Sequence, residues 1–280
     1  MTVVSDADDP GERNVHDERR SDLPEGLRVQ LSEPPTVNVE VDALRAEVAA
    51  IEWWHTIDLG HGIVTPGRDE TPARLPLLRL PPSLAGLTVL DIGAWDGYYS
   101  FACEQRGAAR VVAADQFAWR ELGTGRRGFD CAHRALASSV ESLELDVLDL
   151  SPAAAGGTYD LVLFLGVLYH VHDPLLALER VASVTGSSLV VETHVDCLTT
   201  RRPAAAFYPG NELHGDATNW WGPNLPALVA MLHPVGFEHC DIVHVTPRVQ
   251  RARSAVGSRV LSGRPRHSFN HGRAVVHARR

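Results

Sequence analysis

The chain has 280 residues, 44% of them hydrophobic, and a formal net charge of −9, which suits one large α/β domain with additions better than two small ones. No run of 18 apolar residues exists and the start, MTVVSDADDPGERNVHDERR, is polar and acidic, which argues against a membrane span or secretory signal and points to the cytoplasm. Cys103, Cys131, Cys197 and Cys240 form no Cys-x-x-Cys pair and all 26 basic residues are arginine, which argues against a zinc site or disulfide framework and excludes a lysine nucleophile or base.

Residues 1–36 mix acids, Arg, Pro and Ser with few large apolar groups, a composition expected to form a disordered acidic tail. From Val39 to about Trp54, the apolar positions Val41, Leu44, Val48 and Ile51 recur at three- and four-residue steps, which predicts an amphipathic helix. The stretch from Trp53 to Gly67 then gathers tryptophan, histidine and turn residues, including Trp54, His55 and His61, and reads as a flap over a ligand. Leu75 to Leu87, rich in proline, is a connector. Residues 37–86 therefore form an N-terminal helix and flap ahead of the main domain at 87–280.

Thr88 to Ile92 predicts a buried strand running into a glycine turn, Gly93-Ala94-Trp95-Asp96-Gly97, and then a helix from Tyr98 to Arg106. The spacing Asp91-x-Gly93-x-x-x-Gly97 lacks the second glycine that brings backbone against a pyrophosphate, so a nucleoside without phosphates suits it better. Arg110 to Ala114 is a second strand ending at Asp115, 24 residues after Asp91, where α/β nucleotide folds place the acid that accepts from ribose hydroxyls. A helix over Gly128 to Ala137 leads to a third strand, Val140 to Leu145, ending at Asp146, with Asp149 as a competing acid. Tyr159 to Leu165 is a fully buried fourth strand whose polar crest, Gly166-Val167-Leu168-Tyr169-His170-Val171-His172, belongs at the ligand-binding edge of the sheet. A helix from Leu175 to Val184 precedes a fifth strand, Ser188 to His194.

An aromatic insertion at about 197–224 carries Tyr208, Asn219, Trp220 and Trp221, and insertions of this composition are more often functional than idle. A helix from about Pro226 to Leu232 and two alternating strands, Cys240 to Thr246 and Arg273 to Ala278, complete the chain. Residues 242–280 hold nine arginines and no acid, against 12 acids and five arginines in residues 1–50. A solvated tail and a nucleic-acid contact are both compatible with that gradient.

The glycine turn resembles motif I of the class I S-adenosylmethionine-dependent methyltransferases. The order of elements resembles one branch in particular, the bacterial enzymes that modify the 5-hydroxyl of wobble uridine in tRNA and their relatives. That likeness is carried by Gly166-Val167-Leu168-Tyr169-His170 with Asp173-Pro174-Leu175, by Val191-Glu192-Thr193, by Pro209-Gly210 with Asn219, and by Arg273-Ala274-Val275. It implies a Rossmann-like, mostly parallel seven-stranded sheet closed by an antiparallel hairpin, with S-adenosylmethionine as cofactor. The implied cofactor contacts are Asp91, Gly93, Ala94, Trp95 and Gly97, with the turn gripping through its main chain, then Asp115 and Gln116, Asp146 and Val147, and Leu165 and Gly166. The branch's tRNA enzyme uses a carboxylated cofactor that needs basic partners, one of them lysine. With Arg273 alone here, the ordinary cofactor is expected.

Methyl transfer from a sulfonium is an in-line displacement, so positioning and exclusion of water dominate. Where the nucleophile is a hydroxyl, histidine is the natural base. His170 is the first candidate, His194 the second, and Tyr169 would line the methyl site. Trp54, His55, Glu192, Asn219, Trp220 and Arg273 are the expected acceptor-binding residues. Glu192 could orient a histidine or pair with an arginine. No element carries metal-ligand spacing, so no metal is expected. The doubled tryptophans favour O-methylation of a small molecule such as a secondary metabolite or sugar, with tRNA as the alternative acceptor and a non-catalytic cofactor-binding protein as a third reading.

Overall fold

A computed structural model describes residues 39–122, 125–253 and 269–280. The expected tail at 1–36 lies outside the described residues, as does part of the basic carboxyl-terminal segment. The described residues from Ala43 onward form one compact unit.

Helix α1 (Val39–Ala49) ends five residues before the periodicity suggests, because the buried Trp53 turns back and its indole Nε1 donates to the Val48 carbonyl at 3.0 Å. After the flap and a short helix, α2 (Thr71–Arg74), the chain alternates β1 (Thr88–Ile92), α3 (Tyr98–Gln105), β2 (Arg110–Ala114), α4 (Arg127–Ala135) and β3 (Glu141–Leu143). It continues through β4 (Tyr159–Leu165), α5 (Pro174–Val184) and β5 (Thr185–Val195). The insertion contributes a two-stranded antiparallel ribbon, β6 (Ala205–Phe207) with β7 (Trp221–Pro223). Helix α6 (Leu225–Leu232) starts at Asn224, whose side chain accepts from the Ala227 amide, and is followed by β8 (His239–Val245) and β9 (Gly272–Arg279).

The main sheet runs β3-β2-β1-β4-β5-β9-β8. The first five strands are parallel, and β9 is antiparallel to both β5 and β8. This is the expected mostly parallel α/β sheet with its terminal hairpin. β1 and β4 are buried over most of their length, as is β5 from Leu189 onward, which explains the apolar runs at residues 161–165 and 189–191. β3 is shorter than expected because as the edge strand it pairs with only three residues of β2. Leu90, Ile92, Val112, Val162, Phe164, Leu189 and Val191 pack with Leu178 and Val181 of α5 into the core. The strand order reverses between β1 and β4, which opens a crevice at their carboxyl ends, where open α/β sheets bind ligands.

Candidate active site

A cavity of about 1030 Å³ occupies that crevice, at the upper end of the range for small-molecule sites. Its walls are the strand ends, the flap and the insertion.

At the glycine turn, Gly93 lines the cavity with φ +79°, and a Cβ there would lie 2.3 Å from Val167 Cγ2. Four of the turn's amides are paired within the protein. Gly93 N and Ala94 N both donate to the Ala114 carbonyl, Trp95 N to Asp115 Oδ2 at 2.9 Å, and Gly97 N to the Ala94 carbonyl. With those four amides paired, the turn presents the bare Cα of Gly93 and the Trp95 ring to the cavity. Three more expected contacts stand back from the cavity. Asp91 is buried beneath the turn, accepting from Ser100 Oγ at 2.6 Å. Ala94 is buried in the turn, and Gly97 (φ +88°) starts α3 where a Cβ would press on Phe101 and Phe129 at 2.8 Å.

Trp95 itself adopts φ +48°, a conformation costly for a bulky side chain. It is held there by the amide bond to Asp115, by Trp119 Nε1 donating to its carbonyl at 2.8 Å, and by stacking on Trp54 with ring centroids 4.7 Å apart. Asp96 joins the turn to the flap: its Oδ2 accepts from the amides of Trp54 (2.7 Å) and His55 (2.8 Å). Burial pushes the Asp96 carboxyl up to about 6, against the pull of those two amides. His55 is buried beside Tyr99, and burial, reinforced by the Arg74 charge, lowers it to about 3.

The strand-end acids arrive as expected. Asp115 and Asp146 both line the cavity, as do Gln116 and Val147, while Asp149 lies outside it. Asp115 accepts from the amides of Trp95 and Ala118, and burial raises its pKa despite them. Asp146 accepts from the Leu148 amide at 2.7 Å. Phe117, Ala118, Leu145 and Leu148 line the same side, making an apolar slot edged by two carboxylates.

Leu165 and Gly166 end β4 at the cavity wall, followed by Tyr169 and His170. His170 Nδ1 lies 3.0 Å from the Thr218 carbonyl. Thr218 Oγ1 lies equally close to Nδ1, but its hydrogen goes to Asp216 Oδ1 at 2.7 Å, and a carbonyl only accepts, so Nδ1 carries the hydrogen and Nε2 the lone pair. Burial lowers the His170 pKa, and the Thr218 bond opposes that only in part. Arg273 closes its Nε and Nη2 onto both oxygens of Glu192 and donates from Nη1 to Tyr169 Oη at 3.2 Å. Glu192 thus pairs with the arginine rather than orienting a histidine. His194 lines the cavity with Nε2 at 3.1 Å from Tyr208 Oη, which donates to Asp196 Oδ2 at 2.6 Å.

Among the expected acceptor-binding residues, Trp54, His55, Glu192, Asn219 and Arg273 line the cavity. Trp220 does not. Its ring packs edge-on against His172 at 4.2 Å while its amide donates to the Tyr169 carbonyl, so it fixes the insertion to the crest. Asn219 holds the insertion's own loop by donating to the Leu213 carbonyl. Sequence reasoning missed Asp96, Tyr99, Arg74, Thr218 and Arg251; the sole local signal was the position of Asp96 inside the turn.

A methyltransferase domain family matches residues 67–243. The tRNA U34 carboxymethyltransferase of Alteromonas mediterranea is 27% identical over 186 residues, 64% of this chain and 54% of that protein. Its counterpart in Pasteurella multocida is 31% identical over 183 residues, 60% of this chain and 51% of that protein. The chain thus spans about half the length of the curated relatives it matches. Among solved structures, the N-terminal domain of EvdMO1, crystallised in the presence of SAH and D-fucose, aligns with a TM-score of 0.62 at 19% identity, covering 86% of this chain and 96% of that one. The [4+2]-cyclase SpnF aligns at 0.53 with 15% identity, covering 86% and 93%, a likeness of fold alone. With its sheet order, its glycine turn and a family match over more than half its length, the chain belongs to the methyltransferase domain family, as a class I S-adenosylmethionine-dependent methyltransferase.

Proposed function

We propose that this enzyme methylates a hydroxyl of a small organic molecule, with His170 as the base. The carrying observation is the hydrogen bond from His170 Nδ1 to the Thr218 carbonyl, which leaves a proton-accepting Nε2 on an imidazole that burial keeps neutral at pH 7. The residues of the crevice fit the cofactor: the Asp115 and Asp146 carboxylates suit hydroxyl and amino donors, the apolar slot between them suits a flat base, and Gly93 leaves room beside it.

When bound, S-adenosylmethionine supplies an electrophilic methyl group on a sulfur that is already a good leaving group. The chain holds the acceptor oxygen in line and shields it from water, and such positioning can supply about 7–11 kcal/mol of the barrier. His170 takes the hydroxyl proton at Nε2, a contribution of about a hundredfold or more. Tyr169, fixed through its hydroxyl by Arg273, packs its ring 4.1 Å from that of His170, and His194 is the second candidate base. Arg273 is fully engaged by Glu192 and Tyr169. Since the chain has no lysine, neither a lysine nor Arg273 is available for the extra carboxylate of a carboxylated cofactor, which supports ordinary S-adenosylmethionine.

A second reading, modification of wobble uridine in tRNA, is favoured by the two relatives and by nine arginines without an acid in residues 242–280. Methyl-labelled S-adenosylmethionine, incubated with the protein, a metabolite extract and bulk tRNA, separates the two. Label in a low-mass product supports the first reading, and label confined to tRNA rejects it.

A further inference from the structure

Arg251 is 8% exposed and lines the cavity on its β5–β9 side, with Thr246, Gln250, His271 and Gly272. Asp115 and Asp146 follow β2 and β3, on the other side of β1 and β4 in the sheet order. Arg251 Nη1 donates to the Phe269 carbonyl at 2.8 Å and the guanidinium lies 5.0 Å from the Phe269 ring centroid. Its Nε is buried with no hydrogen-bond partner. Among the described residues no carboxylate pairs with it. Its charged neighbour is another cation, Arg248, and residues 242–280 contain no acid at all.

A buried charge without a counter-ion is costly. Lysine can escape by losing its proton, but arginine stays charged at any ordinary pH. The site is also shaped around the side chain. Gly272 opens β9, and a Cβ there would lie 2.9 Å from Thr246 Cβ and 3.3 Å from Arg251 Cδ, so the missing side chain leaves room for both Thr246 and Arg251 against the strand. With Nη1 committed to Phe269, Nη2 is left to donate to an oxygen of a carboxylate or phosphate in the cavity, and the resulting anionic partner balances a guanidinium whose Nε is otherwise unpaired.

We propose that Arg251 anchors an oxyanion, a carboxylate or a phosphate, carried by the methyl acceptor at the β5–β9 side of the cavity. This rests on the cavity holding cofactor and acceptor together, and it narrows the acceptor to a hydroxylated small molecule bearing an anionic group.

Thermal unfolding of the full chain, with ionic strength held constant by chloride, tests this with inorganic phosphate and acetate as probes. Wild type gains about 2–4 °C at a probe concentration ten times its dissociation constant, with acetate reading the carboxylate source and phosphate the other. Arg251→Met loses that gain while binding S-adenosylhomocysteine with wild-type affinity in calorimetry. Should that variant fail to fold, Gly272→Ala, whose Cβ crowds Arg251, replaces it, and ³¹P line-broadening of phosphate by wild type gives an independent reading. Absence of any response in wild type, an undiminished response in the variants, or a response to tRNA alone overturns the proposal. Wild type that binds no S-adenosylhomocysteine would instead overturn the cofactor reading beneath it.

Discussion

His170 and Thr218, 48 residues apart, are joined by a 3.0 Å hydrogen bond from imidazole Nδ1 to the main-chain carbonyl. The bond ties the crest after β4 to the insertion before β7, so the segment that covers the cavity also sets the tautomer of the base. Thr218 Oγ1 in turn donates to Asp216 Oδ1 at 2.7 Å, fixing the carbonyl's loop.

The pH dependence of methyl transfer follows from that bond. His170 acts as a base only when neutral, and burial lowers its pKa below the usual histidine value. Activity should therefore rise with pH through an inflection below pH 6.5 and level off above it. A pH profile of kcat checks this. An inflection above 7 would assign the proton transfer to another group.

Asp96→Ala should loosen the flap. It leaves the buried amides of Trp54 and His55 without their shared acceptor, at roughly 1–3 kcal/mol for each. Urea unfolding should show a loss of about 2–4 kcal/mol, with S-adenosylhomocysteine affinity falling as the Trp54–Trp95 stack opens. Asp96→Asn, which keeps an accepting oxygen, should recover most of both.

Asp91 makes stability fall as pH rises. Burial lifts its carboxyl to about 7, outweighing the Ser100 hydrogen bond, so the neutral form is the one the fold accommodates. The sign follows directly: stability present below the unfolded value near 4 is lost as pH climbs through about 7, and roughly 2 kcal/mol should go between pH 5.5 and 8.5. His55 has the opposite sign, because its folded pKa is depressed to about 3, and its contribution is lost as pH falls from about 6.5 through 3. Unfolding midpoints of wild type and Asp91→Asn at pH 5.5 and 8.5 check the first window, and the variant's midpoint should vary less with pH.

Breaking the Glu192–Arg273 pair should cost more than removing it. With the two side chains 15% and 31% exposed, solvent screens part of the charge, and Glu192→Gln should cost about 1–3 kcal/mol. Replacing both residues by methionine should cost less than the sum of the single changes, as a double-mutant cycle in urea unfolding would show. The single variant should also lower kcat, since Arg273 holds Tyr169 beside His170.

Where a residue's role depends on its place at the end of a strand, the sequence was informative. Asp115 and Tyr169-His170 each follow a buried apolar run and Asp146 follows the short edge strand, and the sheet's topology carries all of them to one crevice. Residues whose partners are main-chain atoms far along the chain were not legible. Asp96 serves amides 41 and 42 positions away, and His170 uses a carbonyl, a group that every residue carries. Trp53 and Trp54 are alike in sequence, but the first caps α1 from the core and the second lines the cavity, a division that the packing of the flap decides. The glycine turn was legible, but the partners of its amides were not, because whether an amide faces a ligand or the next strand depends on backbone angles that glycine leaves open.

The central claim, that Nε2 of His170 takes the proton of a small-molecule hydroxyl, is tested most directly by His170→Ala. Calorimetric affinity for S-adenosylhomocysteine and turnover with the labelled low-mass acceptor are measured at pH 7 on the same preparation. The account predicts cofactor affinity within about twofold of wild type and turnover reduced by about a hundredfold or more. Unchanged turnover with unchanged affinity would contradict it.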